Sequence, residues 1–251
     1  MFGSSVTLYG KGLYHNESIS MAAQVIAQEI VTLFIVIPIL LFSLFLANKG
    51  YLKGKIMLTG ILGYLLYMYA TYCFVAVYNK FFLLYVLLMS LSFFGFILNM
   101  YQLVMLRKEI FFYKTSNKYI GFSSIILGLT ILFMWLGKLV PPLIRGTVPS
   151  NLEHYTTFPI QALDMGIIVP VAIISGIAVI KEHVLGYLLI PVVTIKGVAM
   201  FFAIDAMLLS MFINNVPVST SELIIFPCLT LLLCFNLYLI MTKLHDYKEL
   251  L

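Results

Sequence analysis

Four ionisable side chains sit inside runs of sequence that are otherwise apolar: Glu29, Asp164, Lys196 and Asp205. A charge in hydrocarbon costs about 2.5–3.5 kcal/mol even on lenient insertion scales, so such groups face a partner, a cavity or a solute path. Gln28 adjoins Glu29, and Gln161 lies one turn before Asp164. Carboxylates and amides at these positions suit binding or passage of a small polar or cationic solute, with Glu29, Asp164 and Asp205 attracting it and Lys196 setting the charge balance. A buried ammonium needs a carboxylate to hold its charge. Asp205 follows Lys196 by nine residues, which puts it on the opposite face of an ideal helix. The expected counter-ion is therefore Asp164 or Glu29, on another helix. Two structural roles compete with this reading: a Lys–Asp pair that only fixes helix packing, or a lysine stem that snorkels to water.

The elements that must position these residues follow from composition. Mean hydropathy is +1.06, and 62% hydrophobic against 10% charged residues leaves too little polar surface for a water-soluble globule. The reading is an all-α, integral membrane seven-helix bundle in the cell membrane, solvated by the lipid bilayer, with residues 1–251 forming a single transmembrane domain. Apolar spans run over 22–47, 56–79, 81–106, 119–143, 161–180, 185–212 and 222–242, each long enough to cross about 30 Å of hydrocarbon as a helix. Only Asn79 and Lys80 separate the second and third. Residues 1–21 lack the order of a cleavable signal and read as an extracytoplasmic segment, so that the first span is retained.

Orientation follows from basic residues near the span ends. Lys49, Lys53, Lys55, Arg107, Lys108, Lys114, Lys118, Lys181, Lys243 and Lys248 collect on one side, against Lys11, Lys80, Lys138 and Arg145 on the other. The N-terminus is thus expected outside and the C-terminus in the cytoplasm. Aromatic clusters at Tyr78, Phe81, Phe82 and Tyr85, and at Phe111, Phe112 and Tyr113, read as interfacial anchors. In this orientation Glu29 lies about two turns into span 1, Asp164 about one turn into span 5 and Asp205 roughly 10 Å deep in span 6. Lys196 sits near the middle of span 6. With Gln24, Gln28, Gln161 and the loop residues Arg145, Glu153, His154 and Tyr155, they outline one polar vestibule in the outer leaflet ending on Lys196.

A weak internal repeat runs through the same spans. Shifted by 132 residues, Pro38, Ser43, Lys49 and Gly54 coincide with Pro170, Ser175, Lys181 and Gly186. Asn99 and Tyr101 echo Asn236 and Tyr238 at an offset of 137. Two three-helix units, 22–106 and 161–242, joined by the span 119–143, make a 3+1+3 parallel repeat of a kind found in transporters. Pro38, Pro170, Pro191 and Pro227 lie inside spans, where each removes a backbone hydrogen bond and can bend the helix. Pro141 and Pro142 read as the end of span 4.

Other chemistries lack their residues. The net charge of +5 is split among short loops and forms no stripe with stacking aromatics, so nucleic acid is not an expected partner. Cys73, Cys228 and Cys234 fall inside apolar segments as small buried residues with no metal-ligand spacing, and no metal or cofactor is expected. HExxH, GxSxG and Gly-rich phosphate loops are missing. His15, His154, His183 and His245 are scattered, although Glu153 and His154 beside Asp164 would suit acid–base work at the interface. The last span has no lysine before Lys243, unlike the retinal-binding rhodopsins. Asn16, Glu17 and Ser18 match the glycosylation sequon, a three-residue pattern with little weight.

The run Tyr155-Thr-Thr-Phe-Pro-Ile-Gln161-Ala-Leu-Asp164-Met-Gly-Ile-Ile-Val-Pro170, with Gly186-Tyr-Leu-Leu-Ile-Pro191, Lys196-Gly197 and Ala27-Gln28-Glu29, resembles a group of bacterial polytopic membrane proteins of unknown function. The resemblance implies a membrane class and a bacterial host and no mechanism. The 3+1+3 arrangement is also similar to that of small sugar transporters of the SWEET type, whose Pro-Gln motif this chain lacks, so that no residue role carries over. Two alternatives to solute binding stand beside it: a membrane-embedded enzyme acting on a lipid or lipid-linked substrate, and a non-catalytic sensor or assembly subunit.

Overall fold

The computed structural model describes residues 6–106 and 118–244. Among the expected features, Arg107, Lys108, Lys114, His245, Lys248 and the cluster Phe111, Phe112 and Tyr113 lie outside the described residues. Seven helices are long and apolar enough to cross a membrane: α1 Ile19–Asn48, α2 Leu52–Phe74, α3 Phe82–Met105, α4 Lys118–Arg145, α5 Pro159–Ile180, α6 Val184–Ile213 and α7 Thr220–Lys243. An antiparallel bridge, Leu8 to Ser18, closes the N-terminal segment on itself. The protein is an all-helical, multi-pass membrane protein.

Helices α2 and α6 are the most enclosed, and α3 is the most exposed. Each of the two central helices packs on α1 as well as on the other, while α3 flanks α2, α7 flanks α6 and α4 lies along α5. Tyr64, Ile56, Ile61 and Met68 of α2 form the main core with Leu188 and Ile195 of α6. Outward faces carry large apolar side chains such as Phe34, Leu83, Phe133, Ile174, Leu209 and Leu231. Exposed apolar surface on this scale requires lipid around it.

Helices α1 and α5 break in the same way. In α1 the regular helix Ile19–Val31 passes through a π turn at Thr32–Val36 before resuming at Ile37–Asn48. In α5 a π turn at Asp164–Ile168 precedes Val169–Ile180. The Ile37 N–H reaches the Thr32 carbonyl, and the Val169 N–H reaches the Asp164 carbonyl, each five residues back. The next residue is Pro38 or Pro170, which has no N–H to give and whose ring would crowd the carbonyl four residues earlier. Widening the helix by one residue takes that carbonyl off the ring, which is the physical reason for the break. Pro191 and Pro227 sit within continuous helices and carry no such turn.

The correspondence extends past the prolines. Ser43 Oγ donates to the Leu40 carbonyl and Ser175 Oγ to the Ala172 carbonyl. Both helices end in a left-handed residue, Gly50 (φ 86°) and Glu182 (φ 53°). The Gly50 and Tyr51 N–H groups bond Ala47 and Leu46, and those of Glu182 and His183 bond Val179 and Ala178, so both ends are Schellman motifs. Four residues past each left-handed position the chain crosses the helix it has just left. A Cβ on Gly54 would lie 2.6 Å from the Ala47 amide nitrogen, and one on Gly186 would overlap the backbone of Ala178 and Val179.

Three boundaries differ from the sequence reading. Helix α2 starts at Leu52 and stops at Phe74, so residues 75–81 form the link that was expected to be two residues long. Val75 and Val77 extend the apolar run without extending the helix, because the buried Glu17 carboxyl takes the Val77 N–H at 2.7 Å. Helix α4 continues through Pro141 and Pro142 to Arg145. The carbonyls those prolines leave unpaired belong to the exposed Gly137 and Lys138, in the last two turns before the helix end at Arg145. Tyr85, expected as an interfacial anchor, is buried, as its OH turns in toward Tyr14. Of the three cysteines, Cys228 is exposed on the lipid face of α7.

The two glycine crossings give a stability prediction. Gly54→Ala and Gly186→Ala each place a methyl group against backbone and lower stability by about 1–3 kcal/mol. Gly137→Ala meets nothing within 4 Å and gains up to about 1 kcal/mol of helix propensity. Thermal unfolding in detergent, read on the three variants in parallel, checks the ordering.

Candidate functional site

The single vestibule expected from the sequence resolves into three separate polar places, because Glu29, Asp164 and Asp205 point from their helices toward different neighbours. Asp205 turns toward α7, where Thr230 Oγ1 donates to its Oδ2 at 2.6 Å and its buried Oδ1 has no hydrogen-bond partner among the described residues. Lys196, on the same helix, faces α2. The opposite-face reading of these two residues therefore matches their placement.

Asp164 begins the π turn of α5 and is held by two aromatic donors. Tyr67 of α2 donates its hydroxyl to Oδ1 at 2.7 Å, and Trp135 of α4 donates Nε1–H to Oδ2 at 2.9 Å. Lys196 Nζ stands 4.2 Å from the centre of the Tyr67 ring. It lies close enough to feel the Asp164 charge, yet among the described residues the two form no ion pair within 4.0 Å. Tyr67 thus couples them: its face stabilises the amine by cation–π attraction while its hydroxyl stabilises the carboxylate. The expected direct pairing of Lys196 with Asp164 or Glu29 is not made among the described residues; Asp164 acts on Lys196 only through space, with Tyr67 between them.

The start of the π turn in α1 carries a neutral version of the same arrangement. Thr32 Oγ1 donates to the Gln28 carbonyl at 2.8 Å, which leaves it to accept from the Tyr64 hydroxyl at 3.0 Å. Gln28 is buried beside Tyr64. Thr32 and Asp164 are 132 residues apart, and so are Tyr64 and Lys196. Gln161, buried, occupies in α5 the position that Glu29 occupies in α1.

Glu29 faces a cavity of about 330 Å³ that adjoins this neutral arrangement through Thr32 and is lined by Leu13, Glu29, Thr32, Met68, Tyr69, Tyr72, Phe81, Leu84, Tyr85 and Leu88. Its Oε1 accepts the Tyr14 hydroxyl at 2.5 Å. The Tyr85 hydroxyl lies 3.3 Å from that of Tyr14 and, with the Tyr14 proton spent on Glu29, donates to it. Tyr72 stands edge-on to Tyr85 at 5.1 Å and to Tyr69 at 6.1 Å. Burial first, and then the bond to Glu29, push the Tyr14 phenol far above its ordinary range, so it remains a donor.

A buried hub at the N-terminal end of the bundle, absent from the sequence reading, holds this cavity's cover. Glu17 is 1% exposed, and its Oε2 accepts the Tyr155 hydroxyl at 2.5 Å while Oε1 takes the Val77 N–H. One carboxyl thus ties the N-terminal segment to the α2–α3 and α4–α5 links. Burial and this bond push the Tyr155 phenol upward, keeping its proton in place. His154 stacks on Tyr155 at 4.4 Å, and its two buried ring nitrogens have no hydrogen-bond partner among the described residues, while Asp164 is held by Tyr67 and Trp135 instead. Among the described residues no three His, Cys, Asp or Glu side chains gather as metal ligands. Glu17 was hidden because a lone acid in a short polar segment reads as solvated. Its partners lie 60 and 138 residues away.

Double-mutant analysis of Glu17→Gln and Tyr155→Phe should give a coupling of about 1–3 kcal/mol, as expected for a buried bond whose loss orphans a polar group. Additive effects in thermal or denaturant unfolding would show that the two side chains do not interact.

Comparison with protein-family models, with curated proteins and with solved structures yields no match, so every residue role in this site rests on the geometry of the chain itself.

Proposed function

We propose that the protein is a membrane carrier for a small polar or cationic solute. The observation that carries this reading is the matched pair of broken helices. Each π turn opens on a polar residue, Thr32 or Asp164, and each faces a polar residue at the corresponding place on the next helix, Tyr64 or Lys196. Interrupted helices at equivalent points of two repeats are the usual location of a transporter's solute site. Backbone breaks inside a membrane also leave carbonyls to be satisfied, so they persist where they line a cavity or move.

The repeat supplies the two bodies and the central helices the joint. Helix α2 carries both Tyr64 and Tyr67, three residues apart on one face, so it touches the neutral and the charged half-sites at once. It crosses α6 at Gly60, where a Cβ would lie 2.6 Å from Ile195. Such a close, small contact suits rocking of one unit against the other. The positive-inside bias supports an orientation in which the cavity of Glu29 lies toward the outside. Asp164 and Glu29 favour a cation, and Lys196 keeps the central site near neutrality while it is empty.

Uptake of radiolabelled organic cations, alkali cations and neutral polar solutes into proteoliposomes tests this reading. Saturable uptake of at least one solute is expected, with its maximal rate reduced about tenfold or more by Asp164→Asn and by Lys196→Met, while both variants elute from gel filtration as wild type. Absence of saturable uptake for every class, or uptake indifferent to both changes, contradicts it.

A further inference from the structure

We infer that the cavity beside Glu29 is a binding site for an alkylated ammonium, a cation whose charge is clothed in carbon. This deepens the carrier reading and rests on it only for the onward passage of the ligand; the binding chemistry stands on the cavity alone.

Glu29 brings a carboxyl group into the membrane, and among the described residues no cation pairs with it. Tyr14 takes one of its oxygens, and the other accepts no hydrogen bond from the described residues. A carboxylate so placed lacks the opposite charge that would make its burial favourable. The surrounding wall is aromatic, with Tyr69, Tyr72 and Tyr85 lining one cavity and set edge to face against one another. Rings of this kind attract a cation through their faces, and they do so best where water is excluded.

The composition of the wall decides which cation. A hard metal ion asks for about six oxygen ligands, whereas the wall offers one carboxyl, one threonine hydroxyl already given to the Gln28 carbonyl, and three phenols, of which Tyr85 is engaged with Tyr14 and Tyr72 with the Val25 carbonyl. Most of the remaining lining is carbon: Leu13, Met68, Leu84 and Leu88. A volume of about 330 Å³ falls at the lower end of small-ligand pockets and exceeds the needs of a bare ion. The ligand that matches is an ammonium whose substituents fill the apolar wall while its charge faces Glu29. Phe81 and Leu84 on the rim are 42% and 45% exposed, which opens the cavity along the membrane-facing side of α3. An ammonium can therefore arrive from water as a small free cation, or from the bilayer as the head of an amphiphile.

The probe is radiolabelled tetramethylammonium, bound at equilibrium to the purified full-length protein in maltoside detergent, whose uncharged headgroup does not compete. Saturable binding is expected, weakened about tenfold or more by Glu29→Gln and about fivefold by Tyr69→Leu, but retained in Tyr69→Phe, which keeps the aromatic face. Cys228→Ser, on the lipid face of α7, is the unchanged control. Displacement by dodecyltrimethylammonium tenfold more strongly than by unlabelled tetramethylammonium assigns the ligand to the bilayer, and equal displacement assigns it to water; either supports an ammonium site. No saturable binding, binding undiminished by Glu29→Gln, or displacement by sodium at equal concentration overturns the assignment. Because the assay involves no flux, binding without uptake would remove the carrier reading and leave the site. Uptake without binding would do the reverse.

Discussion

Two prolines that cannot donate a hydrogen bond govern this fold. Pro38 and Pro170 each force the preceding turn of helix to widen, and the widened turns begin at Thr32 and Asp164. A π turn adds one residue without adding a full helical step, so side chains before it rotate relative to those after it. The polar residues at its start are thereby turned toward α2 and α4, while Phe34 within the turn and Leu41 and Ile174 beyond it face lipid. Remove the breaks, and Thr32 would lose its register with Tyr64 and Asp164 with Tyr67 and Trp135.

The second constraint is the handling of charge without direct ion pairs. Among the described residues the single ion pair joins Lys138 to Glu222 at the N-terminal end of the bundle, at 2.9 Å and partly exposed. Three of the four interior ionisable groups are solvated by aromatic residues instead: Asp164 by Tyr67 and Trp135, Glu29 by Tyr14, Lys196 by the Tyr67 ring, while Asp205 takes the Thr230 hydroxyl. Phenol and indole donors stabilise a carboxylate while presenting carbon to the rest of the core. A direct buried pair would hold each charge to one geometry, and breaking it would cost several kcal/mol. Under the proposed carrier function, tyrosine-mediated contacts would be exchanged for solute contacts at smaller cost than a direct pair.

Most of the architecture was legible because hydropathy is a one-dimensional signal. Twenty apolar residues in a row can do little else than span a bilayer, and the seven helices follow the seven runs closely. The repeat offset was legible through Pro38 and Pro170, whose matched positions carry matched turns. The site was legible only in its anchors. Glu29, Asp164 and Lys196 announce themselves by the cost of burying them, but hydropathy does not record the direction in which each points, so one vestibule was read where the fold makes three places. Tyr14, Tyr67, Tyr85 and Glu17 were hidden for a different reason. Tyrosine at a membrane boundary reads as an anchor and glutamate in a loop as solvated, and only contacts between separate elements, 15 to 138 residues apart, reveal otherwise. The end of α2 was misplaced because residues 75–77 are apolar while Val77 gives its N–H to Glu17 of the N-terminal segment.

On the proposed carrier reading these features act together: two similarly broken helices, a central crossing built on Gly60, a charged half-site and a neutral one, and an aromatic cavity covered by the N-terminal segment. The central claim is that α1 and α5 move as parts of two bodies. Pulsed electron resonance distances between spin labels measure this most directly, using one pair at positions 30 and 162 toward the N-terminal end and another at 49 and 181 at the opposite end, with the native cysteines replaced by serine. The account predicts two distance populations at each end, shifting in opposite senses when solute is added. A single unchanging distance at both ends, with and without solute, would contradict it.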